Sequence, residues 1–311
     1  MGSTNANDDG LFWVDLLDPD QATLAQAMPE EIHPSALQRL QAVPQHDDEP
    51  RPRLETHGNH IFGVLVVPVL HRGDQSIIYQ EIDILLTRER LITVRKTPPG
   101  GTAFASDAVR TGAVRTCATP GMCLYLLVDE VAEQFLSLVD GFDSDIDELE
   151  DTVETRTAAT IRERISRSRH DILHVRRVLA PTRDLARGVL DDRVELDGGD
   201  ELFPRAVEIH FADAYDKLLR ATDGLDLSRD LLAGVRDYHQ AQVANDQNEV
   251  MKRLTVVASV LLLPTFIVGL YGMNIRGIPE YRFHYGYALV WSLIAITTVL
   301  QLVYFRLKKW V

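Results

Sequence analysis

The run LTVVASVLLLPTFIVGLYGMNI, Leu254–Ile275, carries no formal charge, and most of its side chains are Leu, Val, Ile, Phe or Ala. A hydrocarbon core about 30 Å thick is crossed by roughly 20 helical residues, so this stretch is long enough to span a bilayer. A second uncharged run, Phe283–Phe305, follows it. Two such runs back to back are rare in soluble proteins, which argues against a pair of buried core helices. Pro264 inside the first run is tolerable, because a neighbouring helix or side chain can satisfy the carbonyl it frees. The chain therefore reads as ending in a two-span hairpin.

The flanks give the hairpin a direction. Lys252 and Arg253 precede the first run, and Arg306, Lys308 and Lys309 follow the second. The excess of Lys and Arg at cytoplasmic ends places both flanks, and with them both chain termini, in the cytoplasm of a cell (inner) membrane protein. The connection, about Tyr271 to Gly286, faces outward. Tyr281, Phe283, Tyr285 and Tyr287 at one boundary, with Tyr304 and Trp310 at the other, fit interfacial aromatic belts.

The remaining residues differ sharply in charge. Of 311 residues, the first 250 balance at −20, whereas residues 251–311 balance at +6. An acidic body of this kind lacks the basic face that would neutralise phosphates, so no nucleic-acid partner is expected. Cys117 and Cys123 alone cannot build a disulfide scaffold or a four-thiolate zinc site. Met1–Gly10 holds no basic patch followed by an apolar run, so no secretory leader is expected there.

Within the body, β-branched apolar stretches at Leu11–Leu17, His60–His71, Ser76–Thr87 and Leu91–Val94 predict strands of one sheet. Helical patterns at Gln21–Met28 and Ser35–Ala42 lie between them, with a loop at Val43–Leu54. Further on, Met122–Thr155 and Thr160–Val189 predict two long antiparallel helices joined near Thr157, closed by a Gly/Asp break at Asp197–Asp200. From Pro204 the helical spacing of Ile209, Leu218, Leu219, Leu225, Leu231, Leu232 and Val235 flows into the first span with no proline before Pro264. At 1.5 Å per residue, such a helix is about 100 Å long. One apolar stripe cannot stabilise it alone in water, so it must pack against the preceding hairpin and against copies of itself. The fold expected is an α+β membrane protein. Residues 1–120 would form an α/β part with a mixed sheet, 121–203 an acidic helix hairpin, 204–253 a stalk, and 254–311 the membrane hairpin. Along the stalk and first span, Asn248, Met251, Thr255, Ala258, Leu262 and Thr265 recur at three or four residues on one face that is small or mildly polar, ending at Gly272 and Asn274.

Tyr271-Gly272-Met273-Asn274, at the outer end of the first of two C-terminal spans, resembles the signature of the CorA family of magnesium and cobalt divalent-cation channels. The resemblance extends to Asn248-Glu249-Val250-Met251-Lys252, Pro264-Thr265-Phe266-Ile267, Pro279-Glu280 and Lys308-Lys309-Trp310. In the body it takes in Ile32-His33-Pro34, Arg51-Pro52-Arg53-Leu54-Glu55 and the acidic helix Asp143–Glu150. It implies a homopentamer with an α/β/α cytoplasmic domain, whose long helices line a pore carrying Mg²⁺, and also Co²⁺ or Ni²⁺, inward across the bilayer. By this resemblance Gly272, Met273 and Asn274 form the pore entrance, Asn248 and Thr265 add polar rings, and Met251, Leu254 and Leu262 form apolar constrictions. No resident cofactor is implied; the divalent ion is cargo and a regulatory ligand.

In the family, cytoplasmic Mg²⁺ bound between subunits holds the channel shut. The matching carboxylates here are Asp213 and Asp129, but the acidic pair expected after Ile32-His33-Pro34 is replaced by Gln38 and Arg39. Arg39 would then supply to Asp213 the positive charge a metal otherwise supplies, weakening feedback by Mg²⁺. The alternative reading is a zinc transporter of the same fold, coupled to protons. His170 and His174, four apart on a helix, have a spacing that can hold Zn²⁺, although a solvated helix face explains them as well. The acids of His46-Asp47-Asp48-Glu49 read as a solvated loop. No Ser/His/Asp set, Gly-rich phosphate loop or paired-carboxylate pocket stands out, so an enzyme is not expected.

Overall fold

The structure is a computed structural model, which describes residues 12–29, 32, 40, 51–70, 77–97, 103–106, 118–196, 198, 201–273 and 284–310. By contacts it divides into two compact units, Met1–Val235 and Arg236–Val311.

In the first unit, five strands form one mixed sheet in the order β1-β5-β4-β3-β2: β1 (Trp13–Leu17), β2 (Arg53–His57), β3 (His60–Leu70), β4 (Ile77–Leu86) and β5 (Leu91–Arg95). β1 runs parallel to β5, with Trp13 opposite Leu91, and the other pairs are antiparallel. β2 corrects the sequence expectation, which placed Arg53 and Leu54 in a loop. The prolines at 44, 50 and 52 stop just short of it, and Gly58, in a left-handed turn, closes a two-residue hairpin onto β3. The predicted helix Ser35–Ala42 lies, apart from Leu40, outside the described residues.

A buried polar seam fastens the parallel edge. Asp15 accepts hydrogen bonds from Arg95 Nη2 (2.7 Å) and Nε (3.0 Å), Thr93 Oγ1 (2.8 Å) and Ser106 Oγ (2.8 Å), while Trp13 Nε1 donates to Thr93 Oγ1 at 2.9 Å. Arg95 also reaches the Phe104 carbonyl. A second charge cluster lies on β4, where Lys96 Nζ is 2.7 Å from Asp83 Oδ2 and 3.3 Å from Glu81 Oε1. Burial, and then the neighbouring Glu81 charge, push the Asp83 carboxyl up to about 7 against the pull of Lys96.

Four α-helices follow the sheet's short first helix α1 (Gln21–Ala27): α2 (Pro120–Thr152), α3 (Ala158–Leu190), α4 (Arg205–Gly272) and α5 (Gly286–Leu307). Asp20, Thr119 and Thr157 cap the first three, each accepting the backbone N–H three residues on. α2 buries Leu124, Leu127, Val131, Phe135, Val139, Phe142, Ile146 and Leu149 at three- and four-residue steps and packs on β3, β4 and β5. α3 follows after a five-residue connection and returns beside α2, with Arg164 3.2 Å from Glu148. The first-unit stretch of α4 buries Phe211, Ala214, Leu218, Ala221 and Leu225. Gly224 allows it to come close to α2, since a Cβ there would stand 2.8 Å from Val139 Cγ1. Ser228 Oγ donates to Asp143 Oδ1 of α2 at 2.7 Å, and Arg176 of α3 meets Asp226 at 2.6 Å. Ile209, Leu227 and Leu231 remain exposed on the same stretch.

Candidate functional site

In the second unit, α4 and α5 are both long and apolar enough to cross a membrane. α4 is shielded on one side only there. Val256 and Ile267 are buried, and Ser259, Val260 and Leu263 are half-buried, on the face turned to α5. With 3.6 residues per turn, Val256, Val260, Leu263 and Ile267 fall within about 60° of one another. Met251, Leu254, Leu262, Thr265 and Gly272 lie within about 50° of the point opposite that face, and all five are exposed, whereas Ala258 in the same arc is half-buried. Asn248 and Met273 are exposed as well but stand towards one side of this stripe.

The exposed stripe combines apolar bulk with small and polar positions. Leu254 and Leu262 are 60% and 67% exposed. Nothing lies within 4 Å of where a Cβ would sit on Gly269 or Gly272. Thr255 and Thr265 return their hydroxyl protons to the carbonyls of Met251 (2.8 Å) and Leu261 (2.7 Å), so each oxygen keeps a lone pair for the surface. α4 ends at Gly272; Asn274, the proposed mouth amide, lies outside the described residues.

The expected regulatory carboxylates stand on the first unit. The charges of Asp129 of α2 and Asp213 of α4 both act on Tyr125, but Asp129 is already paired. Lys217 Nζ donates to Asp129 Oδ2 at 2.9 Å, lies 2.8 Å from Oδ1, and is 2.6 Å from Glu133 Oε1. Burial would lower the Lys217 ammonium, but its hydrogen bonds to Asp129 and Glu133 and their charges hold it above its ordinary value. Tyr125 sits in the same group, its ring 5.0 Å from that of His210. Burial pushes its hydroxyl up, and the charges of Asp129 and Asp213 add to the effect against that of Lys217. Asp213 itself is exposed. Among the described residues, no three His, Cys, Asp or Glu side chains converge to hold a metal ion. Arg39, expected as the metal substitute, lies outside them, as does Gln38. Nothing in the sequence reading assigns Lys217 a role. The signal that points to it is its place four residues after Asp213, on the same helical face. The rings of His170 and His174 stand 4.2 Å apart on α3, without a third ligand among the described residues.

The model of the family described as CorA-like Mg²⁺ transporter protein matches residues 8–309. The chain belongs to that family. It is 27% identical over 306 residues to the cobalt/magnesium transport protein CorA of Thermotoga maritima, covering 96% of this chain and 83% of that one. The putative metal ion transporter YfjQ of Bacillus subtilis is 28% identical over 300 residues, covering 96% of this chain and 89% of YfjQ. Among solved structures, the complete CorA magnesium transporter of Methanocaldococcus jannaschii superposes with a TM-score of 0.80 at 20% identity, covering 100% of this chain and 95% of that one. The fold is therefore that of full-length CorA: a soluble α/β part, a long helix and two C-terminal spanning helices. The CorA-like assignment makes this chain a membrane-embedded divalent-cation transporter and extends the resemblance carried by Tyr271-Gly272-Met273-Asn274 to the whole chain.

Proposed function

We propose that copies of this chain assemble as a homopentamer in the cell (inner) membrane, with both termini cytoplasmic, and that their α4 helices line a pore carrying Mg²⁺, with Co²⁺ and Ni²⁺, inward. The observation that carries this reading is the exposed stripe of α4 directly opposite α5, from Met251 through Leu254, Leu262 and Thr265 to Gly272. A span turned to lipid all round would need neither the threonine nor the glycines on that face, whereas a shared aqueous axis accommodates both. Ile209, Leu227 and Leu231, exposed on the cytoplasmic stretch of α4, supply apolar area that neighbouring copies would cover.

Mg²⁺ gives up its waters reluctantly, so a cage of carboxylates would strip it slowly and release it slowly. Neutral oxygens that hydrogen-bond the hydrated ion let it enter and leave. In this reading Asn274 provides a ring of amide carbonyls at the outer mouth, beside Gly272 and Met273, and Thr265 and Asn248 provide polar rings further in. Met251, Leu254 and Leu262 narrow the path and gate it by dewetting. The membrane potential suffices as the drive: two charges crossing 100 mV gain about 4.6 kcal/mol.

Feedback by cytoplasmic Mg²⁺ at Asp129 and Asp213 is weak in this reading, because Lys217 already neutralises Asp129. The test is flux of Mg²⁺, Co²⁺, Ni²⁺ and Zn²⁺ into liposomes holding the purified full chain, beside Asn274→Ala. Flux led by Mg²⁺ and reduced about tenfold or more in the variant supports the reading. Unchanged transport by the variant removes the mouth assignment, and flux of Zn²⁺ alone replaces the cargo.

A further inference from the structure

Between Leu254 and Tyr271 and between Gly286 and Phe305 the spans hold one side-chain amide, Gln301, and no Asp, Glu, Lys, Arg or His. Thr255, Thr265, Ser292 and Thr297 each turn their hydroxyl back to the carbonyl four residues earlier in their own helix. Gln301 instead reaches across the seam. It lies on the face of α5 that carries Ile294, Thr297 and the buried Phe305, and its Nε2 donates to the backbone carbonyl of Ser259 on α4 at 3.2 Å. Its Oε1 is buried with no hydrogen-bond partner among the described residues. An amide half-satisfied in hydrocarbon costs free energy that a Leu or Met there would not cost, so packing alone does not account for it.

The acceptor's position is informative. Pro264 has no N–H, so the carbonyl of Val260 loses its intrahelical donor and the turn Val260–Pro264 lacks one backbone hydrogen bond. Gln301 adds a donor from outside at the start of that turn. Leu262 and Thr265, on the opposite face of α4, sit at the same level.

We propose that Gln301 is a positioning residue: its amide clasps the Ser259 carbonyl across the α4–α5 seam and fixes the Pro264 turn that carries Leu262 and Thr265, so that α5 sets the width of the narrow part of the path. This rests on the reading of α4 as the pore helix. Two variants of the full chain in liposomes test it. Gln301→Met keeps the length and removes the donor. Gln301→Glu donates only when protonated, and it would be the only acid in either span.

Maximal Mg²⁺ flux is expected to change about three- to tenfold in Gln301→Met, the worth of one hydrogen bond between membrane helices, with the half-saturating Mg²⁺ and the order of ions unchanged. In Gln301→Glu, flux at about pH 6 is expected to match the parent and at about pH 9 to follow the Met variant. Flux in Gln301→Met within about twofold of the parent, or a Glu variant that tracks the parent at both pH values, overturns the proposal. If the Met variant fails to assemble, the Glu variant decides alone. A readout free of transport separates this from the pore reading: solid-state NMR of the chain labelled at serine carbonyl carbons and glutamine side-chain nitrogens. The Gln301–Ser259 contact present in the parent and lost in the variants, in a chain that carries no divalent flux, would sink the pore reading and leave the clasp standing. Its absence from the parent would sink the clasp.

Discussion

Replacing Lys217 by Met should convert a self-neutralised cluster into a Mg²⁺-responsive one. Lys217 Nζ lies 2.8 Å from Asp129 Oδ1 and 2.6 Å from Glu133 Oε1. With an effective dielectric near 20, each contact is worth about 6 kcal/mol before desolvation. Desolvation and side-chain ordering cancel most of that: exposed pairs net about 0–1 kcal/mol, while breaking a buried pair costs about 3–5 kcal/mol. The Lys217 and Asp129 side chains are each 21% exposed and that of Glu133 52% exposed, which places this cluster between the two cases. A loss of about 2 kcal/mol follows, equivalent to a Tm lower by about 5 °C for a domain of this size. With the ammonium gone, Asp129, Glu133 and the nearby Asp213 charge attract a hydrated divalent ion. Mg²⁺ at about ten times its dissociation constant would then restore about 1.4 kcal/mol. The assay is thermal unfolding of the detergent-purified full chain, parent and Lys217→Met, with and without Mg²⁺. A variant within about 1 °C of the parent, or a Mg²⁺ response present in the parent and lost in the variant, would refute the reasoning.

Other outcomes follow from the sheet. Asp15→Ala leaves the Arg95 guanidinium, 11% exposed, without its carboxylate and should destabilise the first unit by about 3–5 kcal/mol, read as a lower Tm. Asp83 binds its proton more tightly folded, about 7, than unfolded, near the ordinary 3.8. Its contribution to stability is therefore present below about pH 4 and is lost as pH rises through 7. Unfolding followed across that window should show a flatter pH dependence in Asp83→Asn than in the parent; equal slopes would remove Asp83 as the cause.

The two apolar C-terminal helices, the long helix α4 and four of the five strands are legible in the sequence because each depends on a local signal. Uncharged length marks the two spans, three- and four-residue apolar spacing marks α2 to α4, and β-branched runs mark β1, β3, β4 and β5. β2 escapes that reading: five residues with His, Glu and Arg among them look like loop, and only pairing with β3 makes them a strand. The Asp15–Arg95 seam spans 80 residues and the Lys217–Asp129 pair 88. No periodicity reports contacts between side chains so far apart in the chain. Gln301 is visible as a lone amide in an apolar helix, yet its partner is a backbone carbonyl, which no sequence pattern can name.

As the pore helix, α4 would turn the face opposite α5 to water that conducts ions. A cysteine scan through residues 251–272, in a chain freed of Cys117 and Cys123, tests it directly: a membrane-impermeant thiol reagent is added during Mg²⁺ flux into liposomes. Block at 251, 254, 262, 265 and 272, with none at 256, 260, 263 and 267, is the expected result. Block confined to the second set, or at no position, would contradict the account.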